Sequence, residues 1–317
     1  MAKVFTIGEA LIDFLPDRKG AALKEIESFT KAAGGAPANV ACAVARLGGD
    51  SAFIGKVGAD PFGQFLVETL ETEGVDVSAM FRTSLANTAL AFVSLKEDGD
   101  RDFSFYRNPS ADMLLDASEI NAGWFGEADI LHFCSVDLVE APVKHAHLKA
   151  IEAVKAAGGI VSFDPNVRLP LWSDEELCRT TIRSFLPLCD IVKISSDELV
   201  FITGIDDERE ALQSLFVGDV EAVVYTKGAE GAEWHAKPYS VSVPGKRVQT
   251  ADTTGAGDAF VGALLYQLQQ EGLASIKGIA PQLAERMIGF ANAAAALTTT
   301  RAGAISSLPK RDELLSL

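Results

Sequence analysis

The chain has 317 residues, 48% hydrophobic and 23% charged, which is enough for one large α/β domain or two smaller ones with a sizeable core. Its 28 Lys and Arg against 44 Asp and Glu leave a net charge of −16, a field that disfavours non-specific binding to nucleic acid or anionic membrane but tolerates a small anion held locally by backbone. Cys42, Cys134, Cys178 and Cys189 are scattered with no C-x-x-C pair, so they read as reduced thiols of a cytosolic protein rather than a disulfide framework or zinc site. No uncharged apolar run approaches the ~18 residues of a membrane span. The short apolar start up to Glu9 reads as a first strand, not a signal peptide. The expected location is cytoplasmic.

Val4 to Leu15 is β-rich and apolar, interrupted by Gly8, Glu9 and Asp13. It reads as a buried strand ending in an acid, and ligands collect at such edges of α/β sheets. Lys19 to Thr30 is more polar, a hairpin or a loop. Ala33-Gly34-Gly35-Ala36-Pro37-Ala38-Asn39-Val40 opens a helix to about Leu47, with Pro37 suited to its start and Gly48-Gly49 to its end. Ala38, Ala41, Cys42 and Ala45 permit close packing. Gly34-Gly35 either brings N–H groups to a helix mouth or makes a simple turn. Ser51 to Val57 reads as a strand and Pro61 to Glu73 as a helix. Thr88 to Lys96 and Asp102 to Arg107 read as two strands joined by Glu97-Asp98-Gly99-Asp100, a hairpin with Asp-Gly turn chemistry.

From residue 128 the rhythm is steady. Strands Asp129–Ser135, Ile160–Asp164, Ile191–Ser195 and Ala222–Thr226 alternate with helices Pro142–Ala157, Asp174–Phe185 and two short ones. Repeated β-α implies a mostly parallel sheet with helices on both faces. Gly231 to Val243 reads as antiparallel strand, and helices Gly257–Gln270 and Pro281–Leu297 close the chain. The hairpin at 88–107 and the segment after the first strand break the rhythm and read as a small projecting sheet. One domain with a β insert is the simplest partition.

The stretch Thr250-Ala251-Asp252-Thr253-Thr254-Gly255-Ala256-Gly257-Asp258 carries the chemistry. Gly255 and Gly257 lie at a helix mouth, where unpaired N–H groups and a partial positive charge attract an anion. A carboxylate beside an anion site makes sense if a proton is removed next to a phosphate being transferred; otherwise Asp258 is a solvated acid complementing the helix dipole. Asp13, Asp164-Pro165-Asn166-Val167-Arg168, Lys193-Ile194-Ser195-Ser196-Asp197-Glu198 and Thr226-Lys227-Gly228 also follow strand ends, and in a parallel sheet all reach one edge. There is no G-x-x-x-x-G-K-[ST] and no G-x-S-x-G. His145 and His147, two apart on a helix, cannot readily share a metal. All four histidines, with His132 and His235, read as structural.

Gly34–Ala41 through Gly49, and Asp252–Asp258, match the two signature regions of a known family. The chain resembles the ribokinase-like carbohydrate kinases, and within them the bacterial fructokinases, over essentially its whole length. Phe105-Tyr106-Arg107-Asn108-Pro109 and Asp164–Arg168 are similar to fructokinase segments in particular. The resemblance implies a three-layer α/β/α ribokinase-like fold with a mostly parallel central sheet. It also implies a β lid formed by about 10–32 and 86–108 of a single domain spanning 1–317. It implies transfer of the γ-phosphoryl group of ATP to a primary hydroxyl of a sugar, with Asp258 as general base and the N–H groups of Gly255, Ala256 and Gly257 as anion hole. Asp13, Gly34, Gly35 and Asn39 would hold the sugar, Phe105 and Arg107 would close over it, and Arg168 would reach sugar or phosphates.

On the nucleotide side the matching positions are Lys193, Ser195, Thr226, Gly228, Gly231 and Asn292. Glu198 would act on Mg²⁺ through phosphate or water; many relatives carry Asn where Ser195 stands. Asp252, Thr254 and Gly303 match positions around a monovalent cation, K⁺. Relatives pair through their lids, which implies a homodimer. Fructose is the leading acceptor. A 2-keto-3-deoxygluconate kinase, whose acid substrate would want Arg107 and Arg168, a nucleoside kinase and a non-catalytic sugar sensor remain the alternatives.

Overall fold

The computed structural model describes residues 2–18, 20–95 and 101–315; the turn expected at 97–100 lies outside them. In chain order, β1 (Val4–Ile7), β2 (Leu11–Pro16) and β3 (Phe29–Gly34) precede α1 (Ala36–Arg46). Next come β4 (Ser51–Gly58), α2 (Pro61–Thr72), β5 (Met80–Thr83), β6 (Leu90–Leu95) and β7 (Arg101–Tyr106). The β-α alternation continues with β8 (Ile130–Cys134), α3 (Pro142–Ala156), β9 (Ile160–Asp164), α4 (Glu175–Phe185), β10 (Ile191–Ser195), α5 (Ser196–Thr203), α6 (Glu208–Ser214) and β11 (Ala222–Thr226). The hairpin β12 (Gly231–Ala236) and β13 (Tyr239–Pro244) leads to α7 (Ala256–Glu271), α8 (Pro281–Thr298) and the short α9 (Arg311–Leu315).

Among the described residues, nine strands form the large sheet in the order β13-β12-β11-β10-β9-β8-β1-β4-β5. Its pairings are parallel except β11–β12 and β12–β13. Alternation along each strand feeds two cores, because successive side chains point to opposite faces. Val4, Ile130, Ile160 and Ile191 pack with Val40, Leu264 and Ile288, so α1, α7 and α8 cover that face. Ile7, Phe133, Phe163, Val192 and Ile194 pack with Val154, Ile182, Leu199 and Leu212, so α3 to α6 cover the other. By the same alternation Asp164 and Lys193, at or near the C-terminal ends of their strands, share the face of α7.

The run Val4–Leu15 is two strands, not one. Gly8, at φ +146, turns the chain out of the large sheet, and a Cβ there would stand 2.7 Å from Pro37 Cγ. Asp13 therefore sits within β2 of a second sheet, ordered β3-β2-β6-β7, instead of ending the first strand. The β6–β7 pair leaves the body beside Thr88, whose N–H and hydroxyl both donate to the Asp60 carboxylate at 2.8 Å. The small residues of α1 have their counterpart on α7, where a Cβ at Gly262 would lie 2.4 Å from Ala43 Cβ. Only a glycine lets the two helices come this close.

Candidate active site

A cleft of about 270 Å³ opens between the C-terminal edge of the large sheet and the small sheet. Its base is the mouth of α7. Gly255, at φ +74, caps that helix. Asp252 fixes the loop: its Oδ1 accepts from Thr254 N–H at 3.0 Å and Thr254 Oγ1 at 2.6 Å, and its Oδ2 accepts from Gly303 N–H at 3.0 Å. The residues expected around a monovalent cation thus converge at one point. Of the expected anion-hole donors, Gly255 and Gly257 line the cleft, while the Ala256 N–H already makes a long contact of 3.3 Å to Thr253 O.

The close approach of α1 and α7 brings Asn39 Nδ2 to 2.7 Å from Asp258 Oδ2. Burial pushes the Asp258 carboxyl above the ordinary carboxylate range; the Asn39 hydrogen bond and the charges of Arg168 and Lys193 oppose it. Across the floor, Lys193 Nζ lies 3.2 Å from Asp164 Oδ1 and 3.1 Å from Oδ2. Burial pushes Asp164 up to about 6, against the pull of Lys193. Burial alone would strip charge from Lys193, but attraction to Asp164 and Glu198 outweighs it and holds the ammonium above its usual value.

The roof belongs to the small sheet, with Leu11, Asp13, Leu15, Val93 and Phe105 facing in. Gly35 lines the cleft, but Gly34 has another task. A Cβ on it would fall 2.1 Å from Asp13 Oδ2, so Gly34 makes room for that carboxylate. Glu9, absent from the sequence expectation, lines the wall as well. Its Oε1 accepts from Ala36 N–H at 3.0 Å, and burial pushes it up to about 7.

Arg107 does not close over the cleft. Its guanidinium is buried, donating from Nε to Asp112 Oδ2 at 2.9 Å and from Nη2 to both Asp112 and Asp137. No local pattern signals this pairing, since Asp137 arrives from the loop after β8. Arg168 lines the cleft. Glu198 does not reach it: Oε2 accepts from Ser195 N–H at 3.0 Å and from Ser195 Oγ at 2.8 Å, and Oε1 accepts from Val167 N–H at 2.8 Å. Glu198 and Ser195 form a helix cap that also braces the loop after β9. Asn292 spends its amide on Val243 O at 3.0 Å and Pro244 O at 3.3 Å. Thr226, Gly228 and Gly231 frame the turn between β11 and β12 and, like Asn292, do not line the cleft. His132 and His147 are buried and held neutral by that burial, titrating at about 3 and about 4; neither borders the cleft.

The model of the pfkB family carbohydrate kinases matches residues 1–311. The chain belongs to this family. The kinase is 48% identical over 315 residues to fructokinase-1 of Zea mays, covering 99% of this chain and 97% of that protein. It superposes with a TM-score of 0.90 on a fructokinase of Vibrio cholerae O395 crystallised with fructose, ADP and potassium ion, at 39% identity, covering 100% of this chain and 98% of that one. A putative ribokinase II of E. coli in complex with ATP and Mg²⁺ is similar at TM-score 0.87 and 30% identity, over 100% and 98% of the two chains. The fold is the ribokinase-like one shared by these neighbours, and the enzyme class is sugar kinase.

Proposed function

We propose that the kinase transfers the γ-phosphoryl group of ATP to a primary hydroxyl of fructose, giving fructose 6-phosphate. The observation that carries the reading is Asp258, oriented by Asn39 at 2.7 Å beside the glycine mouth of α7, in a cleft roofed by Asp13. Asp258 takes the proton of the acceptor hydroxyl as that oxygen attacks. N–H groups at the α7 mouth and the Lys193 ammonium receive the negative charge of the transferring group. Phe105 and the apolar residues of the roof keep water from the reacting atoms.

Bound ATP would supply the phosphoryl group, and Mg²⁺ would spread its charge. The open mouth of α7, where Gly257 carries no side chain, and the ammonium beside it suit a polyphosphate. Among the described residues no group of three acidic, His or Cys side chains forms a metal cage, so the divalent ion would be held through phosphate oxygens and water. The Asp252 carboxylate, with Thr254 and Gly303, fits a monovalent ion such as K⁺.

A neutral sugar suits the cleft better than a keto-deoxy acid. Arg107 is committed to Asp112 and Asp137, and Lys193 to Asp164, which leaves Arg168 to face an added carboxylate. The fructokinase relatives support the same choice. Phosphorylation of fructose and 2-keto-3-deoxygluconate, measured side by side with ATP, Mg²⁺ and varied K⁺, tests it; a larger kcat/KM for the acid would overturn it. We also infer a cytosolic homodimer paired through the small sheets. Phe14, Phe29, Phe92 and Tyr106 cluster on one face, with Tyr106 62% exposed. A sedimentation mass of one chain would exclude the dimer.

A further inference from the structure

Asp164 is the one buried acid of the cleft floor to which the reaction above gives no task. It closes β9 next to Lys193 of β10, because the parallel register pairs Val192 with Phe163 one residue earlier. It is 2% exposed, yet it borders the same cleft as Asp258. Both of its oxygens are within 3.2 Å of Lys193 Nζ, and Oδ1 also accepts from Asn166 N–H at 3.1 Å. The carboxylate is thus fixed by backbone, and it fixes the ammonium in turn. The ammonium stands over the α7 mouth: a Cβ on Gly257 would lie 3.9 Å from Nζ.

Lysine carries its charge on a flexible four-carbon stem. Without a fixed counter-charge, the ammonium of Lys193 is free to move toward the anions left in its electrostatic reach, Glu198 and Asp258; Glu198 is already engaged by Ser195 and Val167. An ammonium resting on Asp258 would blunt that carboxylate as a base and leave the helix mouth without its cation. We propose that Asp164 is a positioning residue for phosphoryl transfer, holding Lys193 over the mouth of α7 and offsetting its charge at Asp258. This rests on the kinase reading above and extends it to a residue that never touches the acceptor. The other groups acting on Asp258 are Asn39 from α1 and Arg168 from the loop after β9. Glu198, from α5, adds its charge to that of Asp164 on Lys193, and the Cys134 thiol of β8 is held neutral by burial.

The test uses the full chain with Asp164→Asn, Lys193→Met and the double variant. Asn keeps an oxygen for the Asn166 N–H and removes the charge. Asp164→Asn should lower kcat by up to about 100-fold, the size of a misplaced catalytic group, with the sugar KM little changed. It should also move the acid limb of the kcat–pH profile to lower pH, because the charge of Lys193 then acts on Asp258 without offset. Lys193→Met should move that limb upward, and in its background Asp164→Asn should cost nothing further. The carboxylate NMR signal of Asp258, assigned by its loss in Asp258→Asn, gives the same two shifts without turnover. A chain inactive on every sugar would therefore sink the kinase reading while the Asp258 titration still decided this one. An Asp258 midpoint unmoved by Asp164→Asn, or kcat losses that multiply in the double variant, would overturn the proposal. If Asp164→Asn does not fold, Asp164→Glu, which keeps the charge and displaces it, should lower kcat while leaving the Asp258 midpoint closer to that of the parent; unaltered kcat would overturn it.

Discussion

Two helix mouths in this chain look alike as sequence and behave differently as structure. Both follow glycine pairs, Gly34-Gly35 before α1 and Gly255-Ala256-Gly257 at α7. The first is filled by the protein itself: Asp13 occupies the space beside Gly34, and the Glu9 carboxylate takes the Ala36 N–H. The second is open, with Gly257 exposed and the Lys193 ammonium standing over it, 3.9 Å from where a Cβ would be. Glycine marks a close approach in both cases. What differs is what fills the mouth: carboxylates of the chain at α1 and, on the function proposed above, a ligand anion at α7, so that on that reading the first mouth would serve the sugar and the second the phosphates.

The sharpest way to break this contrast is Asp258→Asn, which should lower kcat by roughly 10²–10⁴-fold with the sugar KM near that of the parent; near-normal kcat would remove the base from the α7 mouth. Next comes Arg107→Met. It strands Asp112 and Asp137 and should cost about 3–5 kcal/mol of stability, read as a fall in Tm, whereas a raised sugar KM with unchanged Tm would return Arg107 to the acceptor. Gly34→Ala pushes on Asp13 and should raise the sugar KM roughly 10–100-fold, the worth of a charged hydrogen bond, while the ATP KM holds; equal changes in both would erase the division between the mouths.

The smallest effect concerns Glu9. Its carboxyl titrates at about 7 in the folded chain and at 4.5 as an unperturbed group. Folding therefore takes up a proton between those values, and the stability Glu9 allows falls as pH rises from about 4.5 to 7. Glu9→Gln should raise Tm relative to the parent at pH 8 and by less at pH 5, a difference of roughly 1–2 kcal/mol after discounting the shift. Equal differences at the two pH values would show that Glu9 does not carry this proton.

The β-α rhythm after residue 128 and the Asp252–Asp258 loop were readable because each depends on local periodicity or on residues adjacent in the chain. The rest depended on distance. Arg107 reads as a cation offered to a ligand until Asp137, thirty residues on, is folded against it. Asp164 and Lys193 become partners only through the register of β9 and β10. Glu198 and Asn292 were placed by motif, and the structure shows their polar atoms engaged with backbone. The split at Gly8 was hidden because both sides of the bend are apolar, and β5 and α9 are too short to show a period.

The mounting of the small sheet follows from features already described. Its β2–β3 half joins the body at Gly8 and Gly35, where a Cβ on Gly8 would meet Pro37 Cγ at 2.7 Å and one on Gly35 would meet Glu9 O at 2.4 Å. Its β6–β7 half joins through Thr88, tied to Asp60, and through Arg107, tied to Asp112 and Asp137. One side is held by two glycines with positive φ packed against the body, and the other by carboxylates. The small sheet is thus fastened along both edges, and the protein's own contacts set where Asp13 and Phe105 stand over the cleft.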